Sequence, residues 1–352
     1  MNASATSRFS RVAGPLLRLA GPLVLGLLLV LPSKVGAQSL DLTVNNVGLS
    51  IGDSEEVTGV RLNFRDRNLR RVTGLNATIW TPHNEHGGDV TGIALGLPAT
   101  GGDNISGIAF GILGVGANET MTGIAFGGLG AGAGQDVKGI AFGGLGVGAG
   151  RDVIGITGGG LGAGSGRDLR GVSVGGLGAG AGRDTAGLIV GGLGAGAGQD
   201  MKGIVIAGMG AGAGHDFTGI AISGIGTGAG RDFTGVSMSG IASGAGGTLK
   251  GIHMAGIAVG GATVRGIMVS GFAAGGQDVK ALSLATGYFH VDDDGIQQGV
   301  SIAAFNRIKG SQEGLTIGIV NWARHLDGLQ IGLLNFAGNK RSMKWMPLVN
   351  WN

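Results

Sequence analysis

Cysteine is absent from the 352-residue chain, which excludes disulfides, thiolate metal centres and a lipid-carrying cysteine. Proline is nearly absent too: 6 residues against 81 glycines exclude a collagen-type triple helix, which needs glycine at every third place and abundant proline. Aromatic residues make up 5%, too few for large aromatic cores. Charged residues are scarce at 13%, yet hydrophobic ones reach 43%, so the chain is not an ordinary disordered linker. The formal net charge of +3 belongs to the N-terminus. Residues 1–37 hold Arg8, Arg11, Arg18 and Lys34 with no acid, which leaves 21 of the 25 basic residues against all 22 acids. A near-neutral body gives no reason to expect nucleic acid as a partner.

Long hydrophobic runs are missing as well, with one exception. Leu19–Leu31 is apolar apart from small residues and Pro22, and basic residues precede it. Thirteen residues are too short to cross ~30 Å of hydrocarbon comfortably. A short polar stretch then ends in Val35-Gly36-Ala37, which suits signal-peptidase cleavage after Ala37. Residues 1–37 therefore read as a signal peptide, the alternative being an uncleaved N-terminal anchor. No later segment is apolar enough for a transmembrane helix, so the mature chain is expected to be exported without one.

What is abundant is glycine, in a repeat. Gly-Ile-Ala-Phe-Gly-Gly-Leu-Gly-Ala-Gly-Ala-Gly-Gln-Asp-Val-Lys occupies 123–138 and begins again at Gly139. Units start at Gly59, Gly74, Gly92, Gly107, Gly123, Gly139, Gly155, Gly171, Gly187, Gly203, Gly219, Gly235, Gly251 and Gly266, with weaker ones at Ala281, Gly299, Gly314 and Gly328. From Gly107 to Gly251 every spacing is 16 residues. The chain divides accordingly into the signal peptide (1–37), a capping and divergent segment (38–91), the glycine-rich array (92–280), and divergent C-terminal repeats with a cap (281–352).

Counting the anchor glycine as position zero, positions +1 (Ile124, Ile140), +3 (Phe126, Phe142), +6 (Leu129, Leu145) and +14 (Val137, Val153) are apolar. A step of two marks a strand with one buried face, and a step of three marks a corner. This reading puts +1, +3, +6 and +14 inside. It puts the small residues of +2 (Ala109, Ala125, Ala141, Thr157, Ser173, Ala221, Ser237) outside, and glycines at +4, +5, +7, +9 and +11 at corners and close approaches of coils. Helical spacing does not explain the pattern, and so many glycines would each cost a helix ~1 kcal/mol. The expected fold is an all-β, glycine-rich β-solenoid of about eighteen 16-residue coils. The alternative is a shallow closed ring of β-hairpins, a β-flower.

Candidate chemistry is thin. Asp136, Asp152, Asp168, Asp184, Asp200, Asp216 and Asp232 recur at +13, preceded by Gln135, Arg151, Arg167, Arg183, Gln199, His215 and Arg231. The expected role is an Asx-type cap within each turn, with the neighbouring arginine relieving repulsion along the ladder. A cation-binding edge is the functional alternative, although the calcium repeats of secreted β-rolls recur every nine residues. His83-Asn84-Glu85-His86 has the look of a metal half-site but reads as a solvated loop. Asp292-Asp293-Asp294-Gly295 lacks the spacing and closing Glu of an EF-hand. Arg61, Arg65, Arg67, Arg70 and Arg71 alternate with Leu62, Phe64 and Leu69, which suggests a charged outer cap or an acidic-surface contact. The sequence offers no catalytic triad, no phosphate loop in β/α context, and no metal or cofactor site.

The C-terminal units Gly314-Leu-Thr-Ile-Gly-Ile-Val-Asn-Trp322 and Gly328-Leu-Gln-Ile-Gly-Leu-Leu-Asn-Phe336 precede Trp345-Met-Pro-Leu-Val-Asn-Trp351. This segment resembles the bacterial surface-repeat proteins, with units of the form Gly-Leu-Gln-Ile-Gly-Leu-Leu-Asn and a Pro-Leu-Asn-Trp-like close. Over 59–266 the likeness is looser, because the Asn is lost. The resemblance implies an exported, surface-associated protein and brings no catalytic residues. The expected function is a non-enzymatic structural or adhesive protein of the envelope or cell surface, its partner there undefined and no small-molecule ligand indicated. The alternatives are an outer-membrane β-barrel or channel, and a binder of a regular surface (polysaccharide, lipid or ice) through the +2 array.

Overall fold

The computed structural model describes residues 39–82 and 87–352. The signal-peptide reading over 1–37 and the segment His83–His86 fall outside them. The described residues form an all-β solenoid of about 17 stacked turns with no helix, one turn fewer than the repeats suggested. At ~4.8 Å per turn the stack is on the order of 80 Å long.

One central coil shows the construction. The chain runs along a seven-residue strand, Val153–Gly159, turns at Gly160 and Leu161, returns along a four-residue strand, Gly162–Ser165, and turns again through Gly166–Asp168. Each strand pairs in parallel with its counterparts sixteen residues away, Gly155 with Gly139 and Gly171, Gly162 with Gly146 and Gly178. The result is two walls, one of long strands and one of short strands, back to back. Among the described residues only the terminal strands are antiparallel. Ser39–Val44 folds onto Val47–Gly52 through Asn45 and Asn46, both at positive φ, and Trp345–Trp351 lies on Leu329–Ala337. They are the outermost strands at the two ends of the stack. A parallel stack is neither a closed barrel nor a ring of hairpins, and both of those alternatives fall.

The anchor glycines form one column, as the repeat implies, and the reason is geometric. Gly155 sits at φ +132°, and a Cβ there would lie 2.0 Å from the carbonyl oxygen of Gly139 in the preceding coil. Neither the dihedral nor the space admits an L side chain. The strand runs straight through this glycine, so no corner exists at the anchor.

That straight run overturns the expected in/out assignment. Along Val137-Lys138-Gly139-Ile140-Ala141-Phe142-Gly143 the parity never breaks: +14, +2 and +4 point inward, while +15, +1 and +3 point outward. Ala141 is 0% exposed and Phe142 39% exposed, the reverse of the expectation. The short strand adds Ala131 and Ala133 to the interior, and its glycines at +7 and +9 are strand residues rather than corners. The physical cause is the closeness of the walls. A Cβ on Gly143 would lie 2.0 Å from the oxygen of Gly146 and 3.0 Å from the nitrogen of Ala131 across the coil. Between such walls only Ala, Ser, Thr or Gly fits in most coils. Larger side chains are housed inside at +14, where Val137, Leu169, Met201, Phe217 and Phe233 are essentially fully buried. Each of these contributes roughly 1.5–3 kcal/mol.

Candidate interaction surface

With +1, +3 and +6 outside, the long-strand wall and the bend beside it carry three columns of large apolar side chains into solvent. Ile124, Phe126 and Leu129 are 37%, 42% and 50% exposed, and the same places recur as Ile204, Ile206 and Met209, then Ile220, Ile222 and Ile225. Single exposed aliphatic residues are ordinary, but a contiguous field of this kind is not. Locally the columns pack on themselves. Phe126 stacks on Phe142 with centroids 5.5 Å apart, and the Phe142 ring then lies against Gly158, where a Cβ would come within 2.7 Å of it. The one glycine in the +3 column is thus the seat of a neighbouring ring. Towards the C-terminus the +3 column leads into an open apolar groove of about 520 Å³ lined by Val269, Leu284, Ile302 and Ile317.

The same wall carries a fourth outward column at +15. It contains Lys138, Arg170, Lys202, Lys250, Arg265 and Lys280, and no acid from Thr58 to Gln298. The acids stand two residues before it, at +13, where the chain leaves the turn. There Arg151 donates to both oxygens of Asp136 at 2.9 and 3.1 Å, and Arg231 does the same to Asp216 at 2.8 and 3.1 Å. Arg167 holds Asp152, and Arg183 holds Asp168, in the same way. Each pairing joins an arginine to the aspartate of the preceding coil. Asp152, Asp184, Asp200 and Asp216 also accept the backbone N–H of the aspartate one coil later, at 3.2–3.3 Å. The caps therefore act between coils and not within a turn. Arg151 holds the Asp136 carboxyl down to about 2, and Arg167 and Arg231 lower Asp152 and Asp216. With oxygens engaged this way, the ladder reads as a structural seam.

The outer face of the short-strand wall carries no side chains over eight coils, because both outward places are glycine from Gly114 and Gly116 to Gly226 and Gly228. At Gly148 and Gly196 the nearest atoms to an added Cβ would be 3.7 and 3.6 Å away, so the coil itself tolerates alanine there. Pro82 already lies against this face at Gly101.

The other sequence candidates are scattered. His83–His86 lie outside the described residues. Asp292, Asp293 and Asp294 occupy a loop and face His290, Lys309 and Arg324 respectively. Among the described residues no group of three His, Cys, Asp or Glu is placed to hold a metal ion. The basic cluster is split. Arg61 stands at +2 and is fully buried, held by Asp53 at 2.8 Å, Asn76 at 2.9 Å and Asp66, while Arg67, Arg70 and Arg71 stay outside. An inward +2 column also removes the flat outer array considered for ice or polysaccharide. Its late member His253 is a core residue. Its Nδ1 is 2.8 Å from the Ser237 hydroxyl, it meets the Phe233 ring edge-on, and burial pushes its pKa down. The exposed columns were missed in the sequence. The signal was the Lys and Arg at +15, whose parity is shared by +1 and +3.

Comparison of the chain with protein-family models, with curated proteins and with solved structures gives no match.

Proposed function

We propose that the protein is a non-enzymatic structural or adhesive rod of the bacterial envelope or surface, exported through the signal at 1–37. The observation that carries this reading is the exposed apolar field along one wall. A stack of coils held at fixed register displays it continuously, and such a field on a folded protein serves contact rather than chemistry. The C-terminal resemblance supports the location. Its motif asparagines Asn321 and Asn335 take part in a buried amide ladder. The side-chain amide of Asn306 donates to Asn321, and that of Asn321 to Asn335, each at 2.7 Å. The motif residue thus serves the coil stack. No helix among the described residues is long and apolar enough to cross a membrane, so a surface contact is the attachment this reading requires. Cell fractionation with protease shaving of the tagged full chain tests it. The protein is expected with the envelope and open to external protease, and recovery in the cytoplasm with residues 1–37 intact would contradict it.

A further inference from the structure

We infer that the long-strand wall is a lipid-binding face whose partner is the surface of an anionic phospholipid bilayer. The inference rests on the envelope reading above and specifies what the rod touches there.

Three features on one wall support it. The apolar columns at +1, +3 and +6 run from coil to coil without an interposed charge. Some thirty partly exposed side chains of this size offer on the order of 2,000 Å², against a few hundred Å² for the largest patch on an ordinary monomer. Next to them runs the cation column. Lys138 and Arg170 lean back onto Asp136 and Asp168, whereas Lys202, Lys250, Arg265 and Lys280 have no acidic partner among the described residues. Finally, the apolar groove of about 520 Å³ continues the +3 column, giving the face a recess as well as a plane.

Apolar columns beside a row that holds cations and, from Thr58 to Gln298, no acid match a membrane interface. Apolar side chains enter the boundary of headgroups and acyl chains to about 5–10 Å, and each cation meets phosphate. A second copy of the chain matches less well. If two walls met face to face, the cation column of one would face either the other cation column or the apolar +6 column. Neither supplies the missing negative charge.

The test uses the protein purified in the form in which the cell holds it, mixed with vesicles of phosphatidylcholine alone or of phosphatidylcholine with phosphatidylglycerol, and floated through a density gradient. Binding to the phosphatidylglycerol vesicles is expected, at least about tenfold tighter than to the neutral ones. Two variants address the face. One carries Ile204→Ser, Ile206→Ser, Ile220→Ser and Ile222→Ser, and the other carries Lys202→Glu, Lys250→Glu, Arg265→Glu and Lys280→Glu. Both change exposed side chains, so both are expected to keep the parent melting temperature and to lose binding at least about tenfold. Gly196→Ser, on the opposite wall, is expected to bind as the parent does. Folded variants that bind like the parent would overturn the inference, as would a folded parent that ignores both vesicles. So would a parent dimer that the serine variant converts to monomer without vesicle binding, which would assign the face to a second copy. A protein found at the envelope that ignores vesicles sinks this inference alone, and one that binds vesicles but stays in the cytoplasm sinks the envelope reading.

Discussion

At Gly155 and Gly148 the same residue type does two different jobs. Gly155 has φ +132° and a neighbouring carbonyl oxygen where its Cβ would go, whereas a Cβ on Gly148 would come no nearer than 3.7 Å to another atom. Gly155→Ala is therefore expected to destabilise by at least about 2 kcal/mol. Gly148→Ala should be neutral or stabilising by up to about 1 kcal/mol. Urea midpoints of the two variants check this, and a similar loss in both would contradict the geometry. Ala141 and Phe142 make the same point about side chains. Ala141→Asp puts an unpaired carboxylate between the walls and is expected to cost about 3–5 kcal/mol. Phe142→Asp loses surface contacts, the ring stack with Phe126 and the packing on Gly158, and should remain folded. Limited proteolysis over 123–155 separates the two, because only the first variant should open there.

The coil is the element in which sequence and structure can be compared most closely. The period, the anchor column and the parallel stack were legible, because from Gly59 to Gly266 the anchor is a glycine held at positive φ against its neighbour's carbonyl, where no other residue fits. The weaker units at Ala281, Gly299 and Gly314 fall in the same register, although of the three only Gly299 keeps the positive φ. Which parity faces inward was not legible from hydrophobicity. Both parities are apolar, and the larger side chains at +1 and +3 were the natural choice for a core. The deciding quantity is the wall separation, set by the closeness of Gly143 to Gly146 and by short strands whose side chains are mostly alanine. A corner read at the anchor then hid the unbroken alternation from Lys138 through Ile140 to Phe142. The arginine–aspartate seam was visible as a pattern, though not as a link between coils. Its contribution depends on pH with a definite sign. A carboxyl whose pKa falls on folding adds stability that is complete above about pH 4. That stability is lost as pH drops through the folded value, about 2 for Asp136. The melting temperature should fall between pH 4 and 2, and fall less in a variant carrying Arg151→Gln, Arg167→Gln and Arg231→Gln. Equal pH dependence would mean the seam carries no linkage. In the C-terminal coils the seam is the amide ladder. Asn321→Leu removes the donor to the buried Asn335 side-chain oxygen and to the Ile331 carbonyl, and leaving the Asn335 acceptor unpaired costs about 1–3 kcal/mol. Hydrogen exchange is expected to quicken over 305–337 and to stay unchanged over 123–239, since coils touch only their neighbours.

For the molecule as a whole, a thin interior and an apolar exterior belong together. Walls filled in most coils by small side chains leave room for large ones chiefly at +14, and the large side chains of +1, +3 and +6 stand outside. The stack is held instead by its parallel ladders, the buried +14 column and the seams. The exposed field that supports a contact function therefore follows from the way the coil is closed, and one measurement tests that arrangement directly. The chain has no native cysteine, so single cysteines report position without background. Phe142→Cys, Ile124→Cys and Leu129→Cys, against Ala141→Cys and Ala125→Cys, can each be treated with a maleimide in native buffer and again in urea. The large-residue positions are expected to react at once in native buffer, and the alanine positions only after unfolding. Protection at Phe142, Ile124 and Leu129 with ready labelling at Ala141 and Ala125 would contradict the account, returning the large side chains to the core and removing the interaction face.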